Sequence, residues 1–149
     1  MQYLVLLASL LLGATASPVK QRQTTQAKVG YFTADTNPYG SGAFICYYLE
    51  IPGLVNTRCA YYDTTSDSTL PSVDQTYCYD PSVRWQFHQD PSIPGTEGQY
   101  RIVIIYTPTT GPAKSGFHEW APSDFRQDLI GSTNETYYQG AIEFSVDLS

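Results

Sequence analysis

The sequence has little positive charge. It contains 8 Lys and Arg residues against 14 Asp and Glu residues, which gives a formal net charge of -6 at pH 7. Nucleic-acid binding needs a basic surface that displaces counterions from the phosphates, so this class of function is excluded. Charged residues make up 15% of the chain and hydrophobic residues 42%, a balance that excludes a charge-rich disordered protein. With 149 residues, the chain has the length of one domain.

Long apolar runs are also scarce, and the longest lies at residues 3–12, just before an Ala-x-Ala pattern. A membrane-spanning helix needs about 20 apolar residues, whereas a short run before small residues is typical of a secretory signal peptide. We interpret residues 1–16 as a signal peptide and residues 17–26 as a polar tail or pro-segment. Residues 27–149 then form one secreted, extracellular domain without a membrane span. Asn134 begins a glycosylation sequon and is predicted to carry a glycan.

Only three cysteines are present, Cys46, Cys59 and Cys78. They form no Cys-x-x-Cys motif and no Cys/His spacing of the zinc-binding kind, and we expect no metal and no cofactor. In an oxidising secretory pathway, three cysteines predict one disulfide and one odd thiol. We predict the pair Cys59–Cys78, since these residues end and begin candidate strands across a polar loop. Cys46 is then either packed under a loop or free to link a disulfide-bonded homodimer.

Helical periodicity is nearly absent, and alternation of apolar and polar residues takes its place. Several stretches place every second, apolar side chain on one face, which is expected to be buried. The expected inward residues are Ile45, Tyr47, Leu49, Ile51, Val83, Trp85, Phe87, Ile142, Phe144, Val146 and Leu148. Residues 100–106 are apolar on both faces apart from Arg101, which favours a central strand.

Residues 123–130 alone favour a helix, because Pro122 precedes them, Asp124 can cap the first turn and Gly131 can end it. The rest of the pattern, short strands between loops rich in glycine and proline, predicts an all-β fold. We expect a compact antiparallel β-barrel or sandwich of about seven or eight short strands, with at most one short helix.

Catalytic motifs are missing. The sequence has no Gly-x-Ser-x-Gly nucleophile elbow, and the acidic stretch 63–67 lacks the spacing and the glycine of a calcium loop. His88 falls on the polar face of its strand, and the dipeptide His118-Glu119 is explained equally well as part of an edge strand. We therefore expect a non-enzymatic protein.

Tyrosine, by contrast, is abundant, with 13 residues. Tyrosine suits binding surfaces because its ring adds contact area and carries one polar tip, although it also packs inward in many strands. Two segments, 61–67 and 117–120, combine aromatic with acidic residues. The candidate binding surface consists of Tyr61, Tyr62, His118, Glu119 and Trp120. The negative charge of the chain favours a basic partner.

The order of segments over about residues 29–106 resembles the fungal secreted family typified by the major allergen of Alternaria. The matching pieces are residues 44–51, Cys59, the loop 63–75, Tyr77-Cys78, residues 85–90 and residues 100–106. The chain departs from that pattern because it has no cysteine after Cys78, where the family often has a second disulfide.

This resemblance implies a compact antiparallel β-barrel without enzymatic activity. It also implies a role at the plant-facing surface, where the chain would be effector-like or allergen-like and bind a host protein of the plant apoplast or a cell-surface ligand. The alternative functions are a small secreted hydrolase and a carbohydrate-binding module.

Overall fold

The computed structural model describes residues 24–37, 42–64, 69–89 and 99–149. The predicted signal peptide and most of the predicted tail lie outside these residues, as does part of the acidic stretch 63–67. The first strand begins at Thr25, within the last two residues assigned to the tail.

The described residues form ten β-strands and one short 3-10 turn. The strands are β1 (Thr25–Thr36), β2 (Ala43–Ile51), β3 (Val55–Asp63), β4 (Val73–Tyr77), β5 (Val83–Gln89), β6 (Tyr100–Tyr106), β7 (Lys114–Trp120), β8 (Phe125–Ile130), β9 (Thr133–Tyr138) and β10 (Phe144–Leu148). The 3-10 turn, Pro122–Asp124, precedes β8. The all-β prediction is confirmed, and the described residues hold more strands than the seven or eight expected.

The strands form two antiparallel sheets that pack face to face as a sandwich. The six-stranded sheet has the order β3-β2-β1-β9-β8, and β10 pairs with the other half of β1. The four-stranded sheet has the order β4-β5-β6-β7. As predicted, β6 is central, with β5 and β7 on its two sides.

β1 changes its pairing in the middle because it contains a bulge. The register with β2 shifts between Gly30 and Thr33, and Tyr31 between them has φ 55°. The shift changes which residues face inward, so that Val29 before the bulge and Phe32 after it are both buried. The bulge thereby keeps the inner face of β1 apolar along its whole length. β1 pairs with β2 on one side and with both β10 and β9 on the other.

The core fills the space between the sheets and is rich in aromatic rings. The predicted inward residues of β2 and β5 are all buried, which confirms the alternation expected there. Ile142 is 51% exposed, however, because β10 begins only at Phe144. The predicted inward position of Ile142 is therefore wrong.

Residues 123–130, the segment that favours a helix, form no α-helix, which agrees with the expectation of at most one short helix. The chain makes the 3-10 turn Pro122–Asp124 and then continues as β8, which forms a hairpin with β9. Gly131, expected to end a helix, lies instead in the hairpin turn with φ 65°. The same capping residues suit the start of a helix and the start of a short turn. The pairing of β8 with β9 is what makes the following residues a strand.

The two sheets are tied together along both sides. On one side the disulfide Cys59–Cys78 joins β3 to the residue after β4, and the Tyr79 amide donates to the Arg58 carbonyl at 2.9 Å. On the other side Ser115 of β7 and Ser149 exchange backbone hydrogen bonds of 3.1 and 3.2 Å. The predicted disulfide is confirmed.

We expect the disulfide to carry a large part of the stability. Its cysteines lie 19 residues apart, and closing a loop of this size restricts the unfolded chain by about 3 kcal/mol. The double change Cys59→Ala/Cys78→Ala should lower the free energy of unfolding by about this amount in urea titrations. Cys46→Ala serves as the matched control, and an equal loss in that variant would contradict the assignment.

The second tie depends on a glycine. A Cβ atom on Gly116 would overlap the carbonyl oxygen of Asp147, whereas a Cβ atom on Gly30, also in a strand, would meet nothing. Gly116→Ala should therefore destabilise the protein by about 1–3 kcal/mol, because β7 and β10 must separate. Gly30→Ala should change stability by less than about 1 kcal/mol. Equal melting temperatures for the two variants would contradict the close approach.

Candidate functional site

The outer face of the six-stranded sheet carries a mixed aromatic and polar surface. Strand alternation splits the doublet Tyr47-Tyr48, so that Tyr47 is buried and Tyr48 is 52% exposed. The doublet Tyr61-Tyr62 splits in the same way, with Tyr61 against the core and Tyr62 65% exposed. The outward residues of the first three strands include Lys28, Tyr31, Thr33, Asp35, Phe44, Cys46, Tyr48, Glu50, Asn56, Arg58, Ala60 and Tyr62.

An acidic cleft of about 440 Å³ opens at one end of this face. Three carboxylates, Asp35, Asp63 and Glu135, contribute to its lining, together with the rings of Phe44 and Tyr62. The two rings are cross-strand neighbours, with centroids 6.5 Å apart and planes 27° apart. None of the described residues that line the cleft is basic.

The electrostatics of the cleft centre on Asp35. Burial raises the pKa of this carboxyl, the nearby charge of Glu135 raises it further, and a hydrogen bond from the Tyr138 backbone amide partly opposes both effects. A carboxylate whose ionised form is disfavoured by its surroundings gains from a positively charged ligand. The cleft is therefore chemically suited to an ammonium or guanidinium group beside an aromatic ring.

Cys46 lies in the middle of the outer face. It is half-buried and its Sγ atom lies 3.1 Å from the Thr33 hydroxyl, which confirms that it is the odd thiol. A hydrogen bond to Cys46 and the nearby Tyr79 ring raise the pKa of the Arg58 guanidinium. Linkage of two chains through Cys46 stays a prediction.

A second depression, the tyrosine groove, lies at the opposite end of the face. It is lined in part by Lys28, Tyr31, Tyr48, Glu50 and Glu143. The rings of Tyr31 and Tyr48 meet edge to face at 6.1 Å, and Tyr31 is 66% exposed. The groove thus offers two aromatic surfaces flanked by groups that can donate and accept hydrogen bonds.

The structure does not bring the two predicted binding segments together. Tyr61 and Tyr62 belong to β3, whereas His118, Glu119 and Trp120 belong to β7 in the other sheet. Trp120 is only 2% exposed, so its predicted place on a binding surface is wrong. Its ring packs against Phe32 in the core, because inward and outward positions alternate along β7.

His118 also faces the interior. Its ring stacks on Phe144 at 4.2 Å, and burial lowers its pKa despite the opposing charges of Asp124 and Glu119. Glu119 points to the other side of the sheet and forms an ion pair with Arg101. His88 is the cross-strand neighbour of Arg101 on β5. Arg101 lies between His88 and Glu119 in this row of cross-strand neighbours. Each of the two therefore has a guanidinium as its neighbour rather than a second acid or base.

Asn134 is exposed on β9, opposite Leu129 of β8. In the part of the chain that the structure describes, no group of three or more His, Cys, Asp or Glu residues is placed to hold a metal ion. Over the same residues, no helix has the length and apolar character that crossing a membrane requires.

No protein-family model matches the chain, and no characterised protein matches it.

Sequence reasoning missed Asp35 and Glu135 as members of one site. They come together because β1 pairs with β9 through Asp35 and Tyr137. That pairing brings together residues about a hundred positions apart, and no local pattern indicates it. Phe44 was recognisable as an outward residue, since it alternates with the buried Ile45.

The raised pKa of Asp35 predicts a pH-dependent effect of Asp35→Asn. Because folding disfavours the ionised carboxyl, its cost to stability is present at pH 7 and disappears as the pH falls below the ordinary value of 3.8. Asp35→Asn should therefore raise the melting temperature at pH 7 and leave it unchanged near pH 3. Asp74→Asn, at an exposed position on β4, removes the same charge as a control. A variant destabilised equally at both pH values would contradict this account.

Proposed function

We propose that the chain is a small secreted, non-enzymatic protein that binds a basic segment of a host protein through the acidic cleft. The observation that carries this proposal is the combination of Asp35, Asp63 and Glu135 with the Phe44 and Tyr62 rings in one open cleft. Carboxylates attract a Lys or Arg side chain, and an adjacent ring adds a cation–π contact. The net charge of -6 favours encounter with such a partner.

Three further features support secretion. The apolar run at residues 3–12 precedes an Ala-x-Ala pattern, the disulfide Cys59–Cys78 suits an oxidising compartment, and Asn134 is exposed for a glycan. The resemblance in segment order to the family of the Alternaria major allergen suggests the class of partner. A protein of the plant apoplast is the host partner we propose on that basis.

The absence of catalysis is part of the same proposal. His118 packs against Phe144, and Glu119 is engaged by Arg101, so neither is arranged for proton transfer to a bound substrate. His88 lies beside Arg101, a guanidinium that offers it no acid or base partner for proton transfer. Substituting His88, His118 or Glu119 is expected to leave binding intact.

Carbohydrate binding is the second candidate, and the tyrosine groove favours it. Exposed rings flanked by carboxylates and an amide provide a stacking surface and hydrogen bonds for a sugar. The two candidates use opposite ends of the outer face. Separate variants therefore distinguish them.

We predict that Tyr62→Ala weakens binding of an oligo-arginine peptide about tenfold, because the ring supplies a cation–π contact. Fluorescence anisotropy at low and high salt should also show weaker binding as salt screens the carboxylates. Tyr77→Ala is the matched control, since Tyr77 is 58% exposed on the other sheet. The same variants are then compared in capture from plant apoplastic fluid.

Equal binding by the Tyr62→Ala and Tyr77→Ala variants, without salt dependence, would overturn the proposal. Binding of neutral oligosaccharides that Tyr31→Ala abolishes and Tyr62→Ala leaves unchanged would favour the carbohydrate candidate instead.

A further inference from the structure

The hairpin of β8 and β9 leaves one strand edge open. β8 ends the six-stranded sheet, and among the described strands its one partner is β9. An edge strand presents the amide and carbonyl groups of alternate residues to its surroundings, and these groups can pair with another strand. The open edge is therefore a surface to which a further strand fits.

The hydrogen bonds of the hairpin identify which residues face the open edge. At its base, the Gln139 amide donates to the Asp124 carbonyl at 2.8 Å. In an antiparallel pair, every second residue of a strand forms backbone hydrogen bonds to the neighbouring strand. Starting from Asp124, the even-numbered residues of β8 are therefore the ones that bond to β9. Gln127 and Leu129 direct both of their backbone groups outward. Phe125 directs its carbonyl outward, and its amide is used by the preceding 3-10 turn.

The side chains of β8 are complementary to a second copy of the same strand. Arg126 and Asp128 lie on one face, with Arg126 Nε 2.9 Å from Asp128 Oδ1. In an antiparallel pair centred on Gln127, Arg126 of each copy lies opposite Asp128 of the other. The same register places Phe125 opposite Leu129, which is 70% exposed. The charges and the apolar groups both match in this one register.

We propose that two copies of the chain pair through their β8 strands, antiparallel and centred on Gln127. The Gln127 backbone groups bond to each other, and each Leu129 amide donates to the Phe125 carbonyl of the second copy, which gives about four backbone hydrogen bonds. Arg126 and Asp128 then occupy non-hydrogen-bonded pairs, in which opposing side chains are closest. Because the interface is short, the dimer is weak and reversible. It needs neither the acidic cleft nor Cys46.

Charge reversal tests the pairing in analytical ultracentrifugation of the mature chain up to about 1 mM. Arg126→Asp alone and Asp128→Arg alone each place like charges opposite one another, and each should weaken the dimer tenfold or more. An equimolar mixture of these two variants restores both opposite-charge pairs, so a heterodimer should form. The double variant Arg126→Asp/Asp128→Arg should again dimerise by itself.

A second pair of variants tests the backbone contacts. Gln127→Pro removes an outward amide that β9 does not use, and it should abolish the dimer. Gln127→Ala removes the same side chain, retains the amide and should still dimerise. Circular dichroism checks that both variants fold, and Cys46→Ser is measured in parallel to separate this dimer from a disulfide-linked one.

Three results would overturn the inference. They are a wild-type chain that is monomeric throughout the concentration range, a dimer insensitive to the charge reversals, and a dimer lost in Cys46→Ser. The measurement is made before and after glycosidase treatment, because Asn134 lies opposite Leu129. A monomer in both preparations counts against the pairing.

Discussion

The bulge in β1 is the constraint on which the rest of the sandwich depends. Strict alternation from Val29 would turn Phe32 outward, but the shifted register at Tyr31 turns it into the core. There the Phe32 ring contacts rings from five other strands, including Trp120 at 4.6 Å and Tyr138 at 4.9 Å. The left-handed backbone at Tyr31 costs about 1–2 kcal/mol, which burial of the Phe32 side chain offsets.

The same bulge also shapes the outer face. It turns Tyr31 outward beside Tyr48 and so forms the tyrosine groove, and beyond it Asp35 points toward β9 and the acidic cleft. The two candidate sites are therefore separate consequences of one irregularity in one strand. Their chemistry differs because the groove is rich in aromatic surface while the cleft collects carboxylates.

Much of the core was predictable from the sequence, because alternation is a local property. The inward faces of β2 and β5 and the pair Cys59–Cys78 all follow from residues close to one another in the chain. The hairpin of β8 and β9 was missed because its residues are mainly polar and only Thr136 is buried. Its strands are defined by cross-strand hydrogen bonds rather than by an apolar stripe.

The candidate site was less predictable because it depends on strands far apart in the sequence. Tyr62 was recognised from its aromatic and acidic neighbours, whereas Trp120 shares that local signal and is buried. Whether such a side chain is exposed or buried depends on what packs against that face of its strand. Tyr62 lies on the open face of β3, whereas Trp120 lies on the inner face of β7, which packs against the aromatic core. Composition near a tyrosine or tryptophan thus indicates a possible surface without locating it.

The two proposals meet in the hairpin, since β9 contributes Glu135 to the acidic cleft and β8 contributes the open edge. Neighbouring antiparallel strands are related by a twofold axis perpendicular to their sheet, so a dimer through β8 presents the outer faces of both copies on the same side. Two acidic clefts would then face one partner surface. When two weak sites engage together, the second binding step becomes intramolecular, and overall affinity can rise by about 10²–10⁴ without any new contact. A partner with two basic segments is therefore expected to bind the dimer more tightly than the monomer. A partner with one basic segment should bind both equally, because each cleft by itself has the same affinity in both.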